Sequence, residues 1–312
     1  MEKNESDGRI YFFIVTGTFA RLLLTFTAMT YPYKTHYADL PGNCKVAYMD
    51  EGKGERTLLF IHGLANYAVV WKKNIDYLKQ YYRCIAIDLP GNGLSDKNDH
   101  PYSLKFFASS VAEFINALKL DKVTLVGHSM GGQVAMTTII NYPGCAKSLV
   151  LCAPAGFEVF SAMDRSLYFN AIHLFDFITS DEQVLRHAIE NSFYRNQSQG
   201  EGMIKELTGL MKTYKLNTYK KMVEACIHGM LEEPVYDKLG DIKVPVLVVF
   251  GKNDALIPNK IIHHTTTEQI ATDAVKMLPN ATLKILPDCG HFVMWEKADE
   301  VNREIIHFLE RR

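Results

Sequence analysis

The 312-residue sequence predicts an α/β protein: a mostly parallel sheet with helices on both faces, interrupted late in the chain by a helical insertion. Three observations carry that prediction. Short β-rich runs alternate with helix-length segments from Lys45 onward. Most of the runs are continuously apolar, as expected of strands buried on both faces. One interval, 155–235, breaks the alternation and holds only helical patterns.

The strand candidates in order are 45–50, 57–61 (TLLFI), 84–88 (CIAID), 123–126 (VTLV), 148–152 (SLVLC), 246–250 (VLVVF) and 282–286 (TLKIL). Helical patterns lie at 70–81, 103–118, 130–142, near 260–277 and at 298–309. The 155–235 interval is rich in aromatics, among them Phe157, Phe160, Tyr168, Phe169, Phe175, Phe177, Phe193 and Tyr194. Ser180 with Gln183 reads as a capping box that opens one of its helices. Pro234 and Pro245 mark the return to the sheet. The expected organisation is an apolar N-terminal segment over 1–33, a core over 34–154 and 236–312, and a helical cap over 155–235.

Composition is that of a globular chain, with 47% hydrophobic and 22% charged residues. The formal net charge of −1 leaves no electrostatic footprint for nucleic acid. The six cysteines are scattered without Cys-x-x-Cys or metal-like spacing. We expect no disulfide framework and no zinc site, and a reducing compartment fits.

Residues 10–29 are apolar and about long enough to span a bilayer core, but they contain Gly17, several threonines and Arg21. Thr18, Arg21 and Thr25 fall on one helical face, which suits a helix lying on a membrane or on the rim of the domain. A secretory signal fits less well, because Glu2, Glu5 and Asp7 offset Lys3 and Arg9. Membrane-associated and cytoplasmic locations are both open, with secretion or a periplasmic site as the remaining alternative.

The chemistry reads from three segments, each just past a strand candidate. Gly127-His128-Ser129-Met130-Gly131 follows VTLV and opens a helix. A bare Gly-x-Ser-x-Gly is a weak signal, but in a strand–turn–helix context it is a nucleophile elbow. Gly127 and Gly131 would leave room for strand and helix to approach, and the helix N-terminus would face a developing oxyanion. Asp254 follows VLVVF, and His291 follows TLKIL, in the order Ser…Asp…His that such an elbow uses. Serine is made nucleophilic by a histidine that takes its proton and a carboxylate that orients the histidine. Glu158 and Asp288 are the alternative acids. His62-Gly63-Leu64 follows TLLFI, the position of an oxyanion loop. Gly63 would let the chain turn, and the backbone N–H groups of Leu64 and Met130 are the expected donors. His62 reads as a structural hydrogen-bonding residue, His128 as packing behind the elbow, and His263 and His264 as solvated on a helix.

Together, His62-Gly63, the segment 88–96 (DLPGNGLSD), GHSMGG, GKNDALIP and His291 resemble the α/β-hydrolase superfamily, from about Thr35 to the C-terminus apart from the insertion. The resemblance implies an eight-stranded sheet, a helical cap over the site, no metal and no cofactor. GHSMGGQVA followed by LVLCAPAG is similar to the monoacylglycerol-lipase and carboxylesterase branch, which includes membrane-anchored members. It implies hydrolysis of a small to medium lipophilic ester through an acyl-enzyme. Hydrolases of carbon–carbon bonds in ring-fission products share these motifs but often carry Asn where this chain has His128. An amidase on the same triad is a further alternative, and Arg165, Arg186 or Arg195 facing Ser129 would favour a carboxylate substrate. A non-enzymatic hydrolase-fold binding protein is a third class, against which an intact triad argues. Oligomeric state is not legible.

Overall fold

The computed structural model describes residues 31–175, 189–195, 201–203 and 216–311, with the side chains of 171–175 and 216–217 excepted. Most of the apolar N-terminal segment, the Ser180–Gln183 capping box and Arg186 lie outside the described residues.

Eight strands form one sheet in the order β1-β2-β4-β3-β5-β6-β7-β8. They are β1 (Thr35–Leu40), β2 (Cys44–Glu51), β3 (Thr57–Ile61), β4 (Arg83–Ile87), β5 (Val123–His128), β6 (Ser148–Cys152), β7 (Val246–Gly251) and β8 (Ala281–Leu286). β2 runs antiparallel to both β1 and β4, and every other pair is parallel. Seven of the strands are the runs read from sequence. The eighth, β1, is an edge strand whose exposed and buried residues mix, and it turns into β2 through Gly42 and Asn43, both at positive φ.

The helices include α1 (Lys72–Leu78), α2 (Leu104–Ala117), α3 (Met130–Asn141), α4 (Ala162–Phe175), α5 (Leu216–Glu232), α6 (Thr267–Met277), α7 (Val293–Glu296) and α8 (Ala298–Glu310). Ser103 caps α2 by accepting from the Phe106 N–H. The helix expected near 260–277 starts only at Thr267, capped by Thr266. Asn259 stops it from starting earlier: its backbone and side-chain oxygens take the N–H groups of Ile261, Ile262 and His263 and fold that stretch into a turn.

Two apolar clusters cover the two faces of the sheet. β3, β5, β6 and β7 are buried along their whole length, which is why their sequences show no alternation. Phe60 packs on Trp71 at 5.0 Å between centroids, and both are fully buried. On α8, Val301, Ile305, Phe308 and Leu309 form the buried stripe of an amphipathic helix. Parallel pairing of β3, β5, β6, β7 and β8 puts their C-terminal ends side by side. The loops leaving those ends carry Leu64, Ser129, Asp254 and His291.

Among the described residues no helix is long and apolar enough to cross a membrane.

Candidate active site

Ser129 is the single residue between β5 and α3, at φ 52° and ψ −121°. A non-glycine residue there costs on the order of 1–3 kcal/mol and persists only where its surroundings fix it. They do so through backbone bonds. The Ser129 N–H donates to Cys152 O at 3.1 Å, while its carbonyl accepts from Gly132 at 2.9 Å, from Ala155 at 3.0 Å and, in a longer bond, from the Gln133 N–H at 3.3 Å. Close approach explains the glycines. A Cβ on Gly131 would lie 2.3 Å from Ile61 O, and one on Gly127 would lie 2.4 Å from Gly131 O. Gly63 has no positive φ, so the turn does not require it; the left-handed residue of that loop is Ala65. Gly63 is there for space, since an added Cβ would come within 3.0 Å of both Ser129 Cβ and His128 Nδ1.

His291 and Asp254 meet in the buried interior, with Nδ1 2.8 Å from Asp254 Oδ2. A carboxylate at this contact accepts, so Nδ1 carries a hydrogen, and in the neutral ring Nε2 is then the acceptor nitrogen. The other oxygen, Asp254 Oδ1, accepts from the N–H groups of Leu256 (2.8 Å) and Ile257 (3.0 Å), which stops the carboxylate rotating. The two loops are tied by Asn253 N–H donating to Cys289 O at 2.9 Å. The alternative acids are used elsewhere or not at all. Glu158 accepts from Asn259 N–H at 2.8 Å and pairs with His263 Nδ1 at 2.5 Å, while Asp288 is exposed.

The other histidines sort by environment. His62 is wholly buried and bridges two loops: Nδ1 donates to Gly63 O at 2.8 Å, and Nε2 accepts from Leu89 N–H at 3.0 Å. Burial lowers its pKa to about 4, so it is neutral at physiological pH. His128 donates Nε2–H to His291 O at 3.1 Å, and its ring lies 4.8 Å from that of His291. Burial, and then the neighbouring His291, push its pKa well below the usual value. His263, expected as solvated on a helix, is instead in a loop and pairs with Glu158, which burial raises above the ordinary carboxyl range.

Sequence reading missed the strut behind His291. Glu296 on α7 accepts from Gly290 N–H at 3.1 Å and from Tyr194 N–H at 2.9 Å, and the His291 N–H donates to Ser192 O at 2.9 Å. The 190–195 segment of the insertion therefore sits on the backbone of the histidine loop. No local signal marks this, because the partners are 102 residues apart.

A cavity of about 640 Å³ opens over these groups, lined by Ser129, His291, His128 and Leu64 from the sheet edge. Ala155–Gly156, Glu158–Phe160, Arg165 and Tyr168 line it from the insertion side, with Leu256, Ile257 and Ile261 opposite. The Leu64 and Met130 N–H groups, the expected oxyanion donors, have no described partner. Arg165 lines the cavity but pairs with Glu232 at 3.2 Å and donates to Phe160 O. Arg195 stacks over Tyr194 and is not among the lining residues.

Among the described residues, one group has metal-compatible spacing: Cys44, Asp96 and His100, with ligand atoms within 4.8 Å of one another. It is not part of the cavity. Asp96 there already accepts from Lys45 N–H, Asn98 N–H and His100, so the group reads as a tie between loops.

Comparison with known proteins agrees with this architecture. The sequence pattern of the α/β hydrolase fold family matches residues 56–298. The chain is 29% identical over 274 residues to the dihydrolipoyllysine-residue acetyltransferase component of the acetoin cleaving system of Cupriavidus necator, covering 85% of this chain and 66% of that one. It is 27% identical over 292 residues to a 2-hydroxy-6-oxononadienedioate/2-hydroxy-6-oxononatrienedioate hydrolase of Burkholderia vietnamiensis, covering 86% and 91%. Among solved structures, an esterase from Thermogutta terrifontis superposes with a TM-score of 0.73 at 23% identity, covering 89% of this chain and 98% of the other. On the sheet order, the helices that cover it and the matched span, the chain belongs to the α/β hydrolase fold family.

Proposed function

We propose that the chain is a serine carboxylic ester hydrolase acting through an acyl-enzyme, on neutral, moderately lipophilic esters. Ser129 Oγ attacks the ester carbonyl as His291 Nε2 takes its proton. The oxyanion forms against the N–H groups of Leu64 and Met130, each worth roughly 2.7–4 kcal/mol of transition-state stabilisation by analogy with known donors. His291 returns the proton to the leaving alkoxide. It then accepts one from the water that attacks the acyl carbonyl, and the acid leaves with Ser129 regenerated. Asp254 holds His291 in the tautomer this needs.

The observation that carries the ester reading is the charge around the cavity. Of the described lining residues, the cationic side chains are Arg165, paired with Glu232, and Lys260, exposed at the mouth. Glu158 and Asp237 add negative charge. A dianionic substrate would find one exposed cation, Lys260, set against the carboxyl groups of Glu158 and Asp237, whereas a neutral ester needs no counter-charge.

Cleavage of a carbon–carbon bond on the same triad is the second reading, favoured by the activity of the Burkholderia vietnamiensis relative. A substrate panel separates the two: acyl esters of increasing chain length, monoacylglycerols and a ring-fission dienedioate, each with wild type and Ser129→Ala. Ester turnover that vanishes in Ser129→Ala supports the proposal. Turnover confined to the dienedioate overturns it in favour of the second reading.

A further inference from the structure

Single exposed apolar side chains are ordinary on any surface, and a cluster of them is not. Among the described residues, the exposed large aliphatic side chains are Val159, Met163, Leu167, Leu256, Ile261 and Met277. All but Met277 fall on two segments, 159–167 and 256–261, and Val159, Leu256 and Ile261 also line the cavity over Ser129. Ile261 is 89% and Met163 73% exposed, as free of contact as loop tips although both are apolar. Met163 and Leu167 are one turn apart on α4 and so share a face. The bonds from Glu158 to Asn259 and His263 hold the two segments side by side, so the apolar surface is continuous with the cavity interior. Lys260 stands exposed beside Ile261, a cation at the edge of this surface.

A second observation concerns where the chain enters the fold. Tyr31 donates its hydroxyl to Asp88 Oδ2 at 2.5 Å and packs against Tyr67. Asp88 follows the last residue of β4, at the same end of the parallel strands as Ser129, Asp254 and His291. The described chain therefore begins, at Tyr31, at the end of the sheet that carries the cavity, and the apolar run 10–29 precedes that point in the sequence. Its length and composition suit association with a lipid bilayer.

We propose that the mouth of the cavity is a lipid-docking surface. Val159, Met163, Leu167, Leu256 and Ile261 seat against a bilayer, with Lys260 at the headgroup level. A lipophilic substrate then passes from the lipid phase to Ser129 without crossing water. The route to Ser129 rests on the ester reading, whereas the docking does not.

The test uses the full-length chain carrying Ser129→Ala, so that docking is read without turnover. Met163→Cys is labelled with an environment-sensitive fluorophore, and the unsubstituted chain gives the background from its six native cysteines. Met277→Cys is the control. Met277 is 45% exposed at the end of α6, just before β8 begins, and so at the opposite end of the sheet. On phosphatidylcholine–phosphatidylglycerol vesicles the expected result is a blue shift at position 163 and none at 277. Absence of vesicle binding, no shift at 163 in vesicle-bound protein, or an equal shift at both positions overturns the docking. With Ser129 restored, Met163→Asp/Leu167→Asp should lower turnover of an ester dissolved in vesicles roughly tenfold, the scale of two apolar side chains partly withdrawn from lipid. Turnover of a short soluble ester should not change. An equal loss on both substrates overturns the lipid route. No wild-type turnover of either ester would instead count against the ester reading and leave the fluorescence result standing.

Discussion

His291 Nδ1 lies 2.8 Å from Asp254 Oδ2, 37 residues earlier in the chain, joining two loops that leave neighbouring parallel strands. The bond favours the Nδ1–H tautomer of the neutral imidazole, and His291 lines the same cavity as Ser129. Asp254→Asn should keep the shape and donate the wrong way, favouring the other tautomer. The expected loss in kcat is about 10⁴-fold, as for the equivalent change in serine proteases, with KM little altered. Steady-state kinetics on a soluble ester check this, and a loss under tenfold would remove Asp254 from the role.

Gly131 is the tightest contact of the elbow. Gly131→Ala places a methyl 2.3 Å from the Ile61 carbonyl, which belongs to backbone and cannot swing aside. The helix must shift and carry the Met130 N–H with it. Thermal unfolding should register about 1–3 kcal/mol of destabilisation, and ester turnover should fall with it. Gly144→Ala is the comparison: Gly144 has open space around it, and its cost would come from its positive φ alone.

Glu296 holds the histidine loop against the 190–195 segment through Gly290 and Tyr194. Glu296→Gln keeps the volume but turns one acceptor into a donor facing an N–H. The expected stability cost is about 1–3 kcal/mol for the N–H left unpaired. Because the loop carries His291, kcat should fall more than KM rises, and Glu296→Asp should recover part of it. Equal kcat in all three proteins would reduce Glu296 to a surface contact.

His62 supplies a pH dependence with a definite sign. Its pKa is about 4 in the folded protein and 6.5 in its ordinary state. Above pH 6.5 the ring is neutral in both folded and unfolded chains, and its contribution is fully present. As pH falls toward 4, the unfolded chain takes up a proton that the buried ring refuses, and stability drops, by at most about 3 kcal/mol from this group. Denaturant unfolding of wild type and His62→Gln between pH 7.5 and 5 on the usual scale should therefore converge on acidification. A constant difference would show that His62 does not titrate on unfolding.

Local signals made the central residues legible. Ser129 could be read because β5, the elbow and α3 are contiguous, and Asp254 and His291 because each closely follows an apolar run. Position after a strand is enough when parallel pairing brings strand ends together. The pairings that support those residues are remote in sequence and leave no local trace. Glu158 meets His263 across 105 residues, and Tyr194 meets Glu296 across 102. Glu158 was visible as an acid near the site, but its partner was hidden because periodicity alone ran the 260–277 helix through the turn that Asn259 imposes. β1 was obscured by its edge position, where half-exposed residues replace the apolar run. The aromatic-rich insertion pointed to packing without direction: Phe157 is buried against Phe250 of β7, while Phe160 lines the cavity and packs at a tilt against His263.

The central claim is that Ser129 carries the acyl group. Rapid acid quench of the enzyme during turnover of a slowly deacylated ester, followed by intact mass and peptide mapping, tests it directly. The expected result is one added acyl group on the Ser129 peptide, absent in Ser129→Ala and accumulating far more slowly in His291→Ala. Turnover with no covalent adduct, or an adduct mapping to another residue, would contradict it.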